Sequence, residues 1–412
     1  MFISIIWTVC AAAAISGRTP KGGIIMNFQG YIRANGKVAT RNHVAIIPSV
    51  VCANDVAIAI SAQVPNTRPL LHHQGCCQMP PDLDRVTEAL IGLACNPNAG
   101  AVLVVSLGCE GTDVDRLCQA IAANGTPCER VNIQEIGGTN KAVADGVKKA
   151  QKLAAQIAGC QREPVDMARA IVSIKCGGSD ATSGLASNCV IGYVADKLVD
   201  LGATVIFGET TEFIGAEHIL ARRARTPEVA AKIYQIVNEM EARAKAVGCD
   251  MRKGQPTPGN IAGGLSSIEE KSLGAIVKSG TRPIEGVMEY TDRVTTHKGL
   301  WIKDTPGREM EILTGMALSG AQCMMFSTGR GAPQGFPIMP VLKICGNPQT
   351  FARMSDDMDF NAGRVVTGEV SLEKAGEEAF AHLCRVMSGE ETKNETLRYY
   401  SAIDIHCLGP VI

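Results

Sequence analysis

The chain has 412 residues, 46% of them apolar and 20% charged, with a formal net charge of −1. That balance excludes electrostatic binding of nucleic acid, which needs a basic excess, and an ordinary apolar content excludes a disordered chain. The length is too great for one core and predicts two or three domains.

In chain order, the apolar run over residues 2–15 is too short for a membrane helix and lacks the Lys or Arg that opens a signal peptide. Residues 1–25 are read as an extension, either a miscalled one with Met26 as the true start or a signal-like one, and no later run is long enough to span a membrane. Five short β-branched runs then each lead into a polar, Gly-containing loop: residues 44–51, 101–107, 170–174, 203–207 and 322–326. Their length and composition predict buried strands. Between them, apolar residues at helical spacing predict helices over 82–95, 113–124, 140–160 and 226–247. The last has Thr226 as N-cap, Pro227 in its first turn and Gly248 to end it.

Strands alternating with helices predict an α/β fold of two domains with largely parallel sheets, over 26–165 and 166–412. Ligands of such sheets collect at the carboxyl ends of the strands, so the five polar loops are expected to form one site. Sixteen scattered cysteines in a chain of this size read as free thiols in a reducing, cytoplasmic setting. Cys10, Cys52, Cys95, Cys160 and Cys384, in apolar or Ala-rich surroundings, are expected to pack as small hydrophobes.

Several loops carry chemistry-bearing residues. His72, His73, Cys76 and Cys77 crowd one short stretch, with soft and borderline metal ligands and an imidazole base. Cys109 and Glu110 follow the second strand. Lys175 and Cys176 precede Gly177, Gly178, Ser179 and Asp180, where two glycines let backbone N–H groups approach an anion. Glu209, Glu212, Glu217 and His218 can bind a divalent cation, although acids here also suit a helix N-terminus. Ser266 or Ser267 with Glu269 or Glu270 reads as a capping box. Arg330, beside Thr328 and flanked by glycines, suits a carboxylate, and Asp304 lies in a turn that can border the site. Cys76 or Cys77, Cys109 and Cys176 would together suffice for an iron–sulfur cluster with one open iron; a single divalent ion is simpler.

From Phe28 to the C-terminus the chain resembles the large domain of the altronate/galactarate dehydratase family. The resemblance rests on GYIRANGKVATRNHVAIIP, HHQGCCQ, SLGCE, KCGGSDATSG, GETTEFIGAEH, GNIAGGLSSIEEKSLG, KDTPG and STGRGAPQG, in the family's order. It implies a metal-dependent hydro-lyase that turns a 2,3-dihydroxy sugar acid into a 2-keto-3-deoxy acid and water, with Fe²⁺, or Mn²⁺, as the divalent metal. It also implies a small β-rich partner subunit, because full-length members carry such a domain ahead of the first motif, and a homo-oligomer is expected. The large subunit of (2R)-sulfolactate sulfo-lyase shares the later motifs and is the alternative reading. A third is a non-catalytic metal- or redox-sensing scaffold.

On that reading a base, His72 or His73, takes the C2 proton, and a metal offsets the charge that develops on the carboxylate. Lys175, Asp180 and Glu212 are further catalytic candidates. Gly177, Gly178, Ser179, Thr328 and Arg330 are expected to hold the substrate. The metal's ligands are expected among His72, Cys76, Cys109, Glu110, Cys176 and Glu209.

Overall fold

The computed structural model describes residues 15–18, 24–400 and 403–410. Residues 2–14 of the apolar run, Cys10 among them, lie outside the described residues. Strand β1 (Ile15–Arg18) pairs antiparallel with β2 (Ile24–Ile32), which also pairs antiparallel with the short β3 (Val38–Ala39). Four parallel strands follow: β4 (His43–Pro48), β5 (Thr67–Pro69), β6 (Ala99–Ser106) and β7 (Cys128–Asn132), in the spatial order β5-β4-β6-β7. Strand β8 (Glu163–Asp166) returns antiparallel to β2.

The second parallel sheet has seven strands: β9 (Ile171–Cys176), β10 (Thr204–Phe207), β11 (Ile284–Met288), β12 (Gly299–Lys303), β13 (Cys323–Thr328), β14 (Val341–Cys345) and β15 (Phe360–Asn361). Their order is β11-β12-β10-β9-β13-β14-β15. The fold is thus α/β with parallel sheets, and all five predicted strand runs are strands. Each sheet has a switch point where the chain leaves in opposite directions. It lies at β4, flanked by β5 and β6, and at β9, flanked by β10 and β13. Crevices for ligands open at the carboxyl ends of such strands.

The strands are apolar on both faces because both faces are covered. Along β4, Val44 and Ile46 face helices Asn54–Ser61 and Thr139–Ala158, while Ala45 and Ile47 enter a second apolar cluster with helix Pro80–Ala94. That second cluster continues without a break into the larger sheet, taking in Ile206, Phe326 and helix Glu309–Leu318. Gly92 makes the join close: a Cβ there would lie 2.7 Å from the Leu318 carbonyl. The other face of the larger sheet is covered by helices Asn188–Asp200 and Leu372–Met387. Thr226 caps helix Pro227–Ala246 as expected, accepting from the Val229 N–H. Cys95 and Cys384 are buried, but Cys52 and Cys160 are exposed, because both lie at turns where the chain meets solvent.

Candidate active site

At the switch point of the larger sheet, Lys175 and Cys176 end β9 on opposite faces, as strand alternation requires. The Lys175 ammonium lies 3.3 Å from Glu209 and 3.8 Å from Glu309, and donates to the Cys176 carbonyl. Glu209 follows β10 in the left-handed backbone region, φ 72°, an uncommon conformation for a non-glycine residue. That turn brings one carboxylate oxygen to the Cys176 N–H at 2.8 Å and to Lys278 at 2.5 Å. Lys278 also donates to Glu212 at 2.7 Å, and Lys271 stands 3.7 Å from the other Glu212 oxygen. The side chains of Lys175, Lys278, Glu209 and Glu212 are all buried.

Burial alone would strip both lysines of their protons, but the carboxylates reverse it: Lys278 is held far above the ordinary ammonium value and Lys175 is raised. Glu209 is raised by burial and by Glu212. Glu212 is lowered; burial opposes this, and Lys278 and Lys271 outweigh it. The two carboxylates are therefore unequal, with Glu209 the more basic.

On the opposite face, the Cys176 sulfur lies 2.9 Å from the Ser179 hydroxyl, and burial and Glu212 push its thiol up, away from the thiolate. Asp180 is buried and committed: one oxygen accepts from the Thr182 N–H and hydroxyl, the other from Asn347. The Gly178 carbonyl accepts from the Gly329 and Arg330 N–H groups, which zips the two Gly-rich loops together. Thr328 shapes that loop by accepting from Gly331 and Ala332. A cavity of about 340 Å³ is lined by Cys176, Ser179, Asn188 and Lys271; a second, about 260 Å³, by Asp180, Arg330, Asn347 and Arg353. Asp304 accepts from Thr210, and Thr305 accepts from the Glu209 N–H, so this turn does border the site. Glu217 sits in the first turn of its helix, the capping alternative. Ser267 caps the helix Ile268–Ile276, while Glu270 reaches Ser266 instead.

The smaller sheet brings a different group together. His72 is buried: its Nε2 donates to the Pro48 carbonyl at 2.8 Å, and its Nδ1 accepts from the Gln74 N–H at 3.2 Å. No ring nitrogen is left for a metal or a substrate proton, so the expected base and ligand role gives way to a structural one. Glu110 is likewise occupied, by the Ser49 hydroxyl at 2.5 Å and by the Leu107 and Gly108 N–H groups. Cys76 and Cys77 are exposed with sulfurs 3.6 Å apart, and Cys109 accepts from Gln134. Cys176 lies buried at the other sheet, so the three-thiolate arrangement does not form.

His73 behaves unlike its neighbour. Its side chain is 63% exposed, and Nε2 lies 3.3 Å from Asp404, a carboxylate only 5% exposed. The other Asp404 oxygen is 2.9 Å from Arg308, which directly precedes Glu309, the solvent-side partner of Lys175. A chain of contacts therefore runs from the HHQG loop of one sheet to the end of β9 in the other. His406 completes this seam, 3.1 Å from Glu311, with its N–H on the Tyr290 hydroxyl.

Residues 30–158 match the second domain of D-galactarate dehydratase/altronate hydrolase, and residues 167–407 match the C-terminal region of D-galactarate/altronate dehydratase. The chain belongs to the D-galactarate/altronate dehydratase family. It is thereby an enzyme of the lyase class. It is 38% identical to (2R)-sulfolactate sulfo-lyase subunit beta of Chromohalobacter salexigens, over 90% of this chain and 95% of that one. It is 32% identical to altronate dehydratase of Bacillus subtilis, over 89% of this chain and 75% of the relative. To galactarate dehydratase (L-threo-forming) of Escherichia coli it is 33% identical, over 88% and 73%.

The residues expected to hold a divalent metal are divided between the two sheets. Of the expected ligands, His72, Cys76, Cys109 and Glu110 lie at the smaller sheet, and Cys176 and Glu209 at the larger one. Among the described residues, no three His, Cys, Asp or Glu side chains converge to hold an ion. Glu209 and Glu212 are matched to ammonium groups, and the Cys176 sulfur is matched to the Ser179 hydroxyl. These side chains do not fit a metal centre built by this chain alone. Nor does any helix among the described residues have the length and apolar character to cross a membrane. The sequence reading does not single out Lys278, Arg308, Asp404 or His406. A lysine inside the apolar stretch before Gly280, and the Ile-Asp-Ile-His alternation at 403–406, are the signals that mark them.

Proposed function

We propose that the chain is the large, catalytic subunit of a lyase that removes the C2 proton and the C3 substituent of a 2-hydroxy carboxylate. The first reading takes a 2,3-dihydroxy sugar acid of the altronate or galactarate kind and yields a 2-keto-3-deoxy acid and water. The buried Lys175–Glu209–Lys278–Glu212 network carries the proposal. Proton loss from C2 is difficult because the electrons flow onto a carboxylate that is already charged. The network is neutral as a whole, but its ammonium groups are fixed by their carboxylates at the end of β9, so their N–H dipoles need no reorganisation when that charge appears.

His73 is the exposed imidazole of the seam, 63% against 18% for His406, and it takes the C2 proton. The C2–H electrons pass first onto the carboxylate as an enediolate and then form the C2–C3 double bond as the C3–O bond breaks. The imidazolium returns its proton to the departing hydroxyl, so water leaves and the enol tautomerises to the keto acid. The KCGGSD turn carries the substrate carboxylate.

The match over 95% of a subunit named beta favours a second reading, in which C3 bears a sulfonate. Sulfite departs as an anion and needs no returned proton. The same match supports a separate partner subunit. Both readings are tested by an anaerobic assay of the chain with its small partner, on aldonates, aldarates and sulfolactate, scored for 2-keto acid and sulfite. Keto acid without sulfite supports the first reading, keto acid with equal sulfite the second. No keto acid from any substrate defeats both.

A further inference from the structure

We infer that Asp404, on the C-terminal segment 403–409, is a positioning residue that sets the tautomer and ring plane of His73; the inference rests on His73 being the base. An imidazole that is 63% exposed has little packing to orient it. A buried carboxylate 3.3 Å from Nε2 favours the proton on that nitrogen and leaves the Nδ1 lone pair for the substrate, the logic by which an acid orients a histidine base.

Asp404 is held on both sides. Ile403 and Ile405 are buried in the apolar cluster between the two sheets, and the Ile403 N–H donates to the Leu71 carbonyl at 3.2 Å. Farther on, the Leu408 and Gly409 N–H groups grip the Asp82 carboxylate at 2.9 and 2.6 Å. The second Asp404 oxygen is tied to Arg308, whose own side chain is 68% exposed and reaches Glu311. Around this pair the charged and titratable neighbours are His72 beside His73, Arg308 and Glu311 on the helix start, and His406 and Tyr290 behind the segment. Asp404 is the carboxylate among them that touches His73.

The test compares wild type with Asp404→Asn, Asp404→Ala and His73→Asn, each with the partner subunit, on whichever of the aldonates, aldarates or sulfolactate gives keto acid with wild type, and on its C2-deuterated form. Asp404→Asn is expected to lower kcat on the order of 10²-fold, the scale of a misdirected general base, with KM within about twofold. The primary isotope effect on kcat should rise, because proton removal becomes more rate-limiting. Added formate should restore part of the kcat of Asp404→Ala, which a purely structural latch would not allow. Wild-type kcat in Asp404→Asn beside an inactive His73→Asn overturns the role of Asp404. So does a loss in Asp404→Ala that formate leaves untouched while the isotope effect stays constant. A fully active His73→Asn overturns instead the base assignment beneath it.

Discussion

Acidification should destabilise this protein through His72, and the size of the effect can be worked out. Burial is the main cause of its perturbation; the bond to the Pro48 carbonyl opposes it, His73 adds to it, and the imidazole is pulled from 6.5 down to about 4. The folded chain therefore refuses a proton that the unfolded chain accepts. The full contribution is present above pH 6.5 and is lost as pH falls through about 4. That displacement corresponds to about 3 kcal/mol, of which about 2 kcal/mol has gone by pH 5. His43 is also pulled to about 4, chiefly by burial, so wild type alone would not isolate the effect. His72→Gln keeps a donor for Pro48 but cannot titrate. Urea unfolding followed by circular dichroism at pH 8 and pH 5 should show the wild type falling by about 2 kcal/mol more than the variant. Parallel losses in the two proteins would refute the assignment of a buried, neutral His72.

Replacing Lys278 with Met leaves Glu209 and Glu212 short of their shared partner and should cost about 3–5 kcal/mol in urea unfolding; an unchanged midpoint would show that the network is not charge-balanced as described. Gly177→Ala places a methyl against Lys175 and 2.8 Å from the Phe326 ring. It should lower kcat/KM on the order of 10²-fold while circular dichroism stays native, and near-normal activity would remove the KCGGSD turn from the site. Arg330→Ala should raise KM roughly tenfold at little cost in kcat if its guanidinium holds a carboxylate; a KM that does not move confines Arg330 to the loop.

The strands were legible because the interior of a doubly covered sheet demands continuous apolar runs, and 44–51, 101–107, 170–174, 203–207 and 322–326 have them. The helix limits followed from Thr226, Pro227 and the like, whose capping chemistry is local. Adjacent residues of one type were harder to read. His72 and His73 look alike in sequence, but one turns inward to the Pro48 carbonyl and the other outward to Asp404, and that choice depends on a segment more than 300 residues away. The partners of Glu209 were equally distant: Lys278 follows the helix Ile268–Ile276, and no spacing rule links it to β10. Loop composition marked where chemistry collects, while the pairing of charges is set by tertiary packing.

The apolar cluster that passes from one sheet to the other has a mechanical consequence. Enzymes that close over a substrate by a hinge keep a thin, polar neck between two separate cores. Here Ala45, Ile47, Leu90, Ile206, Ile312 and Phe326 belong to one interior, and Gly92 lets two helices meet backbone to side chain. Swinging the sheets apart would pull that interior open to water. The jaws of the seam are thus fixed at their spacing, as in a vice already tightened. Any gating must come from the loops themselves, and the fold trades capture by closure for a cleft set in advance.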